Sequence, residues 1–337
     1  MSLSEGNSKV VFISWQPYCS RSDNIARKLQ ATSYKIYIEK LGSNYFTVWL
    51  KYLLQSLQTL WLLFRKRPKL VLVMTPPVFA CFPVWFYCRL FNASFAIDAH
   101  TGVFTNPIWE PVRFLNRFFS KRAKTTIVTN KYLHDLVVSW GAQATIISDV
   151  PVKFGPEKER KLSDKFNITF VCSYTYDEPL KEVLEAAQKL PDVSIYITGN
   201  YKSADPELIA SKPENVHFTG FLSDEEYVGQ LKSSDAVMAL TTVDHTMQRG
   251  AYEAVYLKRP VITSDFGLLR DTFYKGTVHV KPTVAGIVKG IQEMKQNHDK
   301  YLSEVEALCR EKLENWAGLE AELRKFLELD SSYNENK

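Results

Sequence analysis

Residues 241–265 read TTVDHTMQRGAYEAVYLKRPVITSD. The stretch opens on a polar loop, runs into a segment with Ala251, Ala254 and Val255 at helical spacing, and closes on a short apolar run after Pro260. Loop, helix and strand in that order form the repeating unit of a parallel α/β sheet. A helix that starts at such a loop offers unpaired amides and the positive end of its dipole, which favours a diphosphate. Thr246, Met247 and Gln248 are placed to supply the amides and Arg249 a cation, while Glu253 sits further along among apolar neighbours.

The same unit recurs on both sides. Upstream, residues 216–240 (VHFTGFLSDEEYVGQLKSSDAVMAL) run from a strand to a glycine turn at Gly220, an acidic-capped helix and a second strand from Ala236. Strands are expected at 167–171, 194–198, 217–219, 236–239, 260–263 and 278–280, and a helical tail from about Thr283 to Leu329. In the first half, 10–14, 70–74, 95–98 and 126–129 read as strands, each followed by a loop and a helical stretch. Between them, residues 148–164 (SDVPVKFGPEKERKLSD) carry two prolines, a glycine and a charge run, the composition of an interdomain linker. Two α/β domains are therefore expected, 1–150 and 151–314. The stripe of Trp316, Leu319, Leu323 and Phe326 on a final helix of about 315–337 is expected to pack back on the first domain.

The charge is uneven. Residues 1–150 hold 18 Lys and Arg against 7 Asp and Glu, a surplus of +11 that points this half at something anionic, whereas residues 151–337 hold 24 against 30. No nucleic-acid motif accompanies the surplus, so no nucleic-acid partner is expected. Five cysteines without CxxC spacing, and histidines without ligand spacing, predict neither disulfides nor a metal site. MSLSEGNSK at 1–9 lacks the apolar core of a signal peptide, so the expected location is the cytoplasm, with the inner membrane surface as a second station. Two aromatic segments, 46–64 and 78–91, are too polar or too short to span a bilayer. They read either as core helices or as an apolar, basic-edged face for an anionic membrane surface.

From about Asn167 to Asp271, and at Asn315 and Trp316, the sequence resembles the donor-binding domain of the GT-B glycosyltransferases, in particular retaining family 4. A weaker likeness covers AIDAHTGVF (96–104) and VTNKYLHDLVVSWGA (128–142). The resemblance implies a GT-B architecture of two doubly wound Rossmann-like domains facing across a cleft. It also implies hexosyl transfer with retention from a UDP- or GDP-linked sugar to a glycan or polyprenyl-linked acceptor, in polysaccharide or cell-envelope synthesis, without a cofactor. On that likeness Gly220, Phe221 and Leu222 lie against the nucleobase, Glu253 accepts from the ribose hydroxyls, and Gly199 and Asn200 face the same crevice. The family's first glutamate, eight positions before Glu253, is replaced by His245, with Asp244 beside it. Its basic phosphate ligand after the domain's first strand is absent, and Ser173, Tyr174 and Thr175 stand there instead, followed by Asp177, Glu178 and Pro179 as a helix start. In the first domain, Asp98 is a candidate general base, His100 lies near the transferred sugar, and Ser20, Arg21 and Ser22 open a helix toward the acceptor.

Two other readings of the same fold stand beside transfer. A nucleotide-sugar epimerase needs no acceptor and no basic or apolar surface, and a non-catalytic donor-binding scaffold tolerates loss of the first glutamate.

Overall fold

A computed structural model describes residues 10–41, 45–148, 150–152, 154–327 and 329. The chain divides into two compact units, Met1–Val150 with Trp316–Lys337, and Pro151–Asn315. Each holds one six-stranded sheet in which every pairing is parallel.

The first sheet has the order β2-β1-β3-β4-β5-β6, from β1 (Val10–Ser14), β2 (Thr32–Lys35), β3 (Leu70–Thr75), β4 (Ser94–Ala99), β5 (Thr126–Val128) and β6 (Ala144–Ile146). Its helices are α1 (Ser20–Lys28), α2 (Tyr45–Lys66), α3 (Cys81–Phe91), α4 (Gly102–Thr105), α5 (Arg113–Ser120) and α6 (Lys131–Ser139). The second sheet has the order β12-β11-β10-β7-β8-β9, from β7 (Phe166–Phe170), β8 (Val193–Thr198), β9 (Val216–Gly220), β10 (Ala236–Ala239), β11 (Val261–Ser264) and β12 (Thr277–Val280). Its helices are α7 (Leu180–Ala187), α8 (Pro206–Ala210), α9 (Asp224–Ser233), α10 (Arg249–Tyr256), α11 (Gly267–Thr272), α12 (Val284–Gln296) and the start of α13 (His298–Phe326).

Both sheets are covered on both faces, which is why their central strands read as unbroken apolar runs. Along β1 and β3, Val10, Phe12, Leu70 and Leu72 enter one core while Val11, Ile13, Val71 and Val73 enter the other. Trp316 and Leu323 of α13 join the first of these cores, packed with Phe12 and Ile25. Tyr301, Val305 and Leu308, earlier in the same helix, are buried in the second unit. Each fully buried side chain of this size contributes about 1.5–3 kcal/mol. The linker is tied down as well: the Lys158 amide donates to the Glu225 carbonyl, and its ammonium lies 2.9 Å from Glu226.

Strand order reverses between β1 and β3 in the first sheet and between β7 and β10 in the second. Loops at the carboxyl ends of strands flanking such a reversal diverge and leave room for a ligand. The loops after β1, β3 and β4, and those after β7 and β10, are therefore the places where each unit can hold chemistry.

The expected helical tail is two helices, broken at Asn297. Two strands are not expected from the sequence: β2 (TSYK), which carries no apolar run, and β6 (ATI), only three residues long; both are sheet edges and only partly buried.

Candidate functional site

In the first unit, α1 and the end of β4 bring Cys19, Arg21, Ser22, Asp98 and His100 together. Asp98 is completely buried, and both its oxygens are engaged. Oδ1 accepts from Arg21 Nε at 3.2 Å, and Oδ2 accepts from Ser22 Oγ at 3.2 Å and lies 3.4 Å from His100 Nε2. Arg21, itself 8% exposed, also donates to the Ile147 carbonyl at 2.9 Å. Burial alone would raise the Asp98 pKa, but the Arg21 charge and the His100 hydrogen bond outweigh it and hold the carboxyl at about 2. The contacts described for Asp98 are all to protein groups, and they hold the carboxylate against His100. Arg21 and Ser22, expected to meet the acceptor, both hydrogen-bond that carboxylate. Ser20 opens α1, and its side chain lies outside the described residues.

His100 has access to solvent, its side chain 29% exposed, and Cys19 beside it is also only half-buried. Its amide donates to the Thr75 carbonyl at 2.9 Å, which fixes the loop after β4 to the end of β3. Burial would lower its pKa, but hydrogen bonds to Asp98 and to Cys19, whose sulfur is 3.7 Å from Nε2, raise it to about 9. The Cys19 thiol, for which burial works the other way, is lowered by the same histidine. At neutral pH the site therefore presents an imidazolium. Its folded pKa lies above the ordinary value, so the stability it contributes is complete below pH ~6.5 and disappears as pH rises through about 9. The His100 ring signal, followed by NMR, is expected to titrate near pH 9. A midpoint near ~6.5 would mean that the Asp98 contact does not form in solution.

In the second unit the loops after β7 and β10 are stitched together. Asp177 accepts from the Thr241 hydroxyl at 2.9 Å, and its carbonyl accepts from the Thr242 amide at 2.7 Å. The carboxylate of Glu178 turns back into the loop after β7, accepting from the amides of Ser173 and Thr175, each at 2.9 Å for the nearer oxygen. Of the three residues expected to begin the next helix, Asp177 and Glu178 make these loop contacts instead. Pro179 is the cap of α7 and makes no side-chain cap bond. The amides of Ser173 and Thr175, expected to face phosphate, are occupied by a protein anion, and Tyr174 sits between them at φ +60.

That leaves the start of α10. Gln248 is its N-cap and makes no side-chain cap bond, so no side chain from the cap covers the first-turn amides. Thr246, Met247 and Gln248 are half-buried, and His245 enters the turn at φ +60, its amide donating to Asp244. Glu253, with a side chain 14% exposed, accepts from Tyr227 Oη at 2.6 Å and from Arg249 Nε at 3.1 Å. Tyr227 was invisible to sequence reasoning because its partner is 26 residues away on another helix. Arg249 thus steadies Glu253 while placing positive charge at the helix start. The turn after β9 presents Phe221, 88% exposed, beside Gly220 at φ +73, with Leu222 half-buried. Gly199 lies at φ +92 directly against the Cys172 carbonyl, and Asn200 caps the turn that follows it.

Residues 153–310, which contain all of these second-unit groups, match the family model described as glycosyl transferases group 1. The second unit is a group 1 glycosyl transferase domain. No curated protein matches the chain in sequence. Among solved structures, HepE of Anabaena in complex with UDP and glucose is 12% identical with a TM-score of 0.70, over 95% of this chain and 99% of that one. Sucrose-phosphate synthase from Thermosynechococcus elongatus is 13% identical with a TM-score of 0.69, over 96% and 89%. A glycosyltransferase from Rickettsia africae is 16% identical with a TM-score of 0.65, over 98% and 100%. These likenesses give the whole chain the GT-B fold. The matched domain has its α10 start and Glu253 at the sheet's reversal, with the carboxylate of Glu178 seated in its first loop.

Proposed function

We propose that the protein is a glycosyltransferase that takes a hexosyl group from a nucleoside-diphosphate sugar, with retention, and passes it to a glycan or polyprenyl-linked acceptor in polysaccharide or cell-envelope synthesis. The observation that carries this reading is Glu253: a half-shielded carboxylate held by Tyr227 and Arg249 on α10, beside helix amides without a side-chain cap, inside a segment that matches group 1. A carboxylate in that setting suits the vicinal hydroxyls of a ribose, and the helix start suits the diphosphate. As the glycosidic bond to the diphosphate breaks, negative charge grows on the leaving oxygen, and the helix dipole and Arg249 stabilise it. Asp244 and His245 contact the sugar in the place of the family's first glutamate. In the first unit, imidazolium His100 donates to an oxygen of the reacting species, with Asp98 as its positioning partner.

UDP is the favoured nucleotide, because HepE is described in complex with it. A thermal-shift panel of UDP, GDP and their sugar conjugates is the test: a ligand at about 100 times its Kd adds roughly 2.7 kcal/mol to the folded state. Glu253→Ala should weaken UDP binding by about 10- to 100-fold, the loss of hydrogen bonds to a charged group worth roughly 1.5–3 kcal/mol. A panel with no stabilisation by any nucleotide would move the reading to a scaffold that has lost donor binding, and unchanged UDP affinity in Glu253→Ala would remove that residue from the site.

A further inference from the structure

Helix α2 packs Leu62 and Leu63 into the core but also carries a second apolar face that is left exposed. Lys51, Gln55 and Thr59 are buried, while Trp49, Leu50, Leu53, Leu57 and Trp61 are each 49–62% exposed. The buried polar groups have protein partners: Gln55 Nε2 donates to the Ile36 carbonyl at 2.6 Å, Thr59 accepts from the Trp15 indole at 3.0 Å, and the Lys51 ammonium lies 4.0 Å from the Tyr37 ring centre, while Gln55 Oε1 is buried without a hydrogen bond. Residues 49, 53, 57 and 61 recur every four positions, so they form one stripe about 18 Å long. Helix α3 adds a parallel set, Phe82, Phe86 and Leu90, each 41–61% exposed at the same spacing. Ring contacts beside the stripes join the two segments at both ends, Trp49 to Phe79 just before α3 at 5.4 Å and Phe64 to Phe91 at 5.6 Å. An apolar face of this extent marks an interaction surface.

Its charge says what kind. Between Glu39 and Asp98 there is no Asp or Glu, and there are seven Lys and Arg. The cations cluster at the edge of the patch, where Arg65 lies 5.3 Å from the Trp61 ring centre and Arg67 lies 5.9 Å from that of Phe91. Aromatic and aliphatic side chains bordered by cations match the layered chemistry of a bilayer surface, with acyl chains below and anionic headgroups above. No helix among the described residues is long and apolar enough to cross a membrane.

We propose that the α2–α3 face docks on an anionic lipid bilayer, with the stripes sunk to the acyl boundary and Arg65, Lys66, Arg67 and Arg89 on headgroup phosphates. The docked face abuts the first unit's candidate site. Trp49 packs on Phe79, in the turn just after β3, and the end of that strand holds the His100 loop through the Thr75 carbonyl. A bilayer against this face therefore lies beside the loop that carries His100. The inference does not depend on glycosyl transfer, and its test reads lipid binding alone.

The experiment is co-sedimentation of the full chain with vesicles of phosphatidylcholine, with and without about a third phosphatidylglycerol. The chain is expected to sediment with the anionic vesicles at low salt, roughly tenfold less at ~0.5 M salt, and to show a blue shift of tryptophan emission on binding. Leu53→Glu with Leu57→Glu changes two exposed side chains, so the melting temperature should hold while vesicle binding falls by roughly tenfold or more. Arg65→Gln with Lys66→Gln should weaken binding to anionic vesicles while leaving the fold untouched. The proposal is overturned if the chain ignores anionic vesicles at low salt or if the Leu53→Glu, Leu57→Glu variant binds as well as the parent. It is equally overturned if the parent is a dimer that this variant makes monomeric, which would assign the face to a second copy.

Discussion

Replacing Arg21 with Met is expected to lower the stability of the first unit by about 3–5 kcal/mol, the cost of stranding a buried charge. Asp98 would keep only Ser22 and His100 as partners, in a place with no access to water. The loss extends beyond the pair, because Arg21 also ties α1 to the Ile147 carbonyl just past β6. Acid unfolding should report the same contact. With its folded pKa depressed to about 2, Asp98 contributes stability above its unfolded value of ~3.9 that is lost as pH falls toward 2. In the Arg21→Met chain that loss should begin at higher pH. The double change Arg21→Met with Asp98→Leu should recover most of the stability, since it removes both charges instead of one. A loss below about 1 kcal/mol in the single variant would mean that water reaches the carboxylate and that the pair is not buried in solution.

The same cluster shows where sequence reading succeeds and where it stops. Asp98 and His100 stand out because a polar pair ends the apolar run of β4, and strand ends in parallel sheets are where ligands bind. Their roles were not legible: whether an aspartate is a base or a buried brace depends on Arg21, 77 residues away, which no local pattern reveals. The central strands β1, β3, β7 and β10 announce themselves because both of their faces are buried, whereas β2 has no such constraint and carries no apolar signal. Glu178 is the plainest miss. After a strand and before a helix, an Asp-Glu-Pro triplet reads as a helix start, and only coordinates show its carboxylate folded back on the amides of Ser173 and Thr175. For 46–64, composition leaves core and surface equally open, because periodicity shows that a helix is amphipathic without saying which side is inward. The structure turns Leu50, Leu53 and Leu57 outward and Gln55 and Thr59 inward, while Leu62 and Leu63 join the core.

The two glycines of the candidate donor loops should differ sharply when changed to alanine. Both lie in the left-handed region, Gly199 at φ +92 and Gly220 at φ +73, so each substitution carries a backbone cost of about 1–2 kcal/mol. Their surroundings then separate them. A Cβ at Gly220 meets nothing nearer than the Tyr201 ring at 3.9 Å, whereas at Gly199 it falls 2.1 Å from the Cys172 carbonyl oxygen, a backbone atom that cannot rotate away. Gly199→Ala must therefore push the loop after β8 off the loop after β7, and a loss of roughly 3 kcal/mol or more is expected. That displacement reaches the Ser173–Thr175 turn, and through Asp177 the loop after β10, so Gly199→Ala should also weaken nucleotide binding. Gly220→Ala should retain the fold, with a small loss of stability. Chemical denaturation of the two variants gives the comparison, and nucleotide titration of each gives the second reading. Equal losses would mean that the close approach of Gly199 to Cys172 relaxes without cost. A Gly199→Ala chain that loses stability but binds nucleotide as the parent does would place the diphosphate and ribose contacts entirely on α10, independent of the loops beneath it.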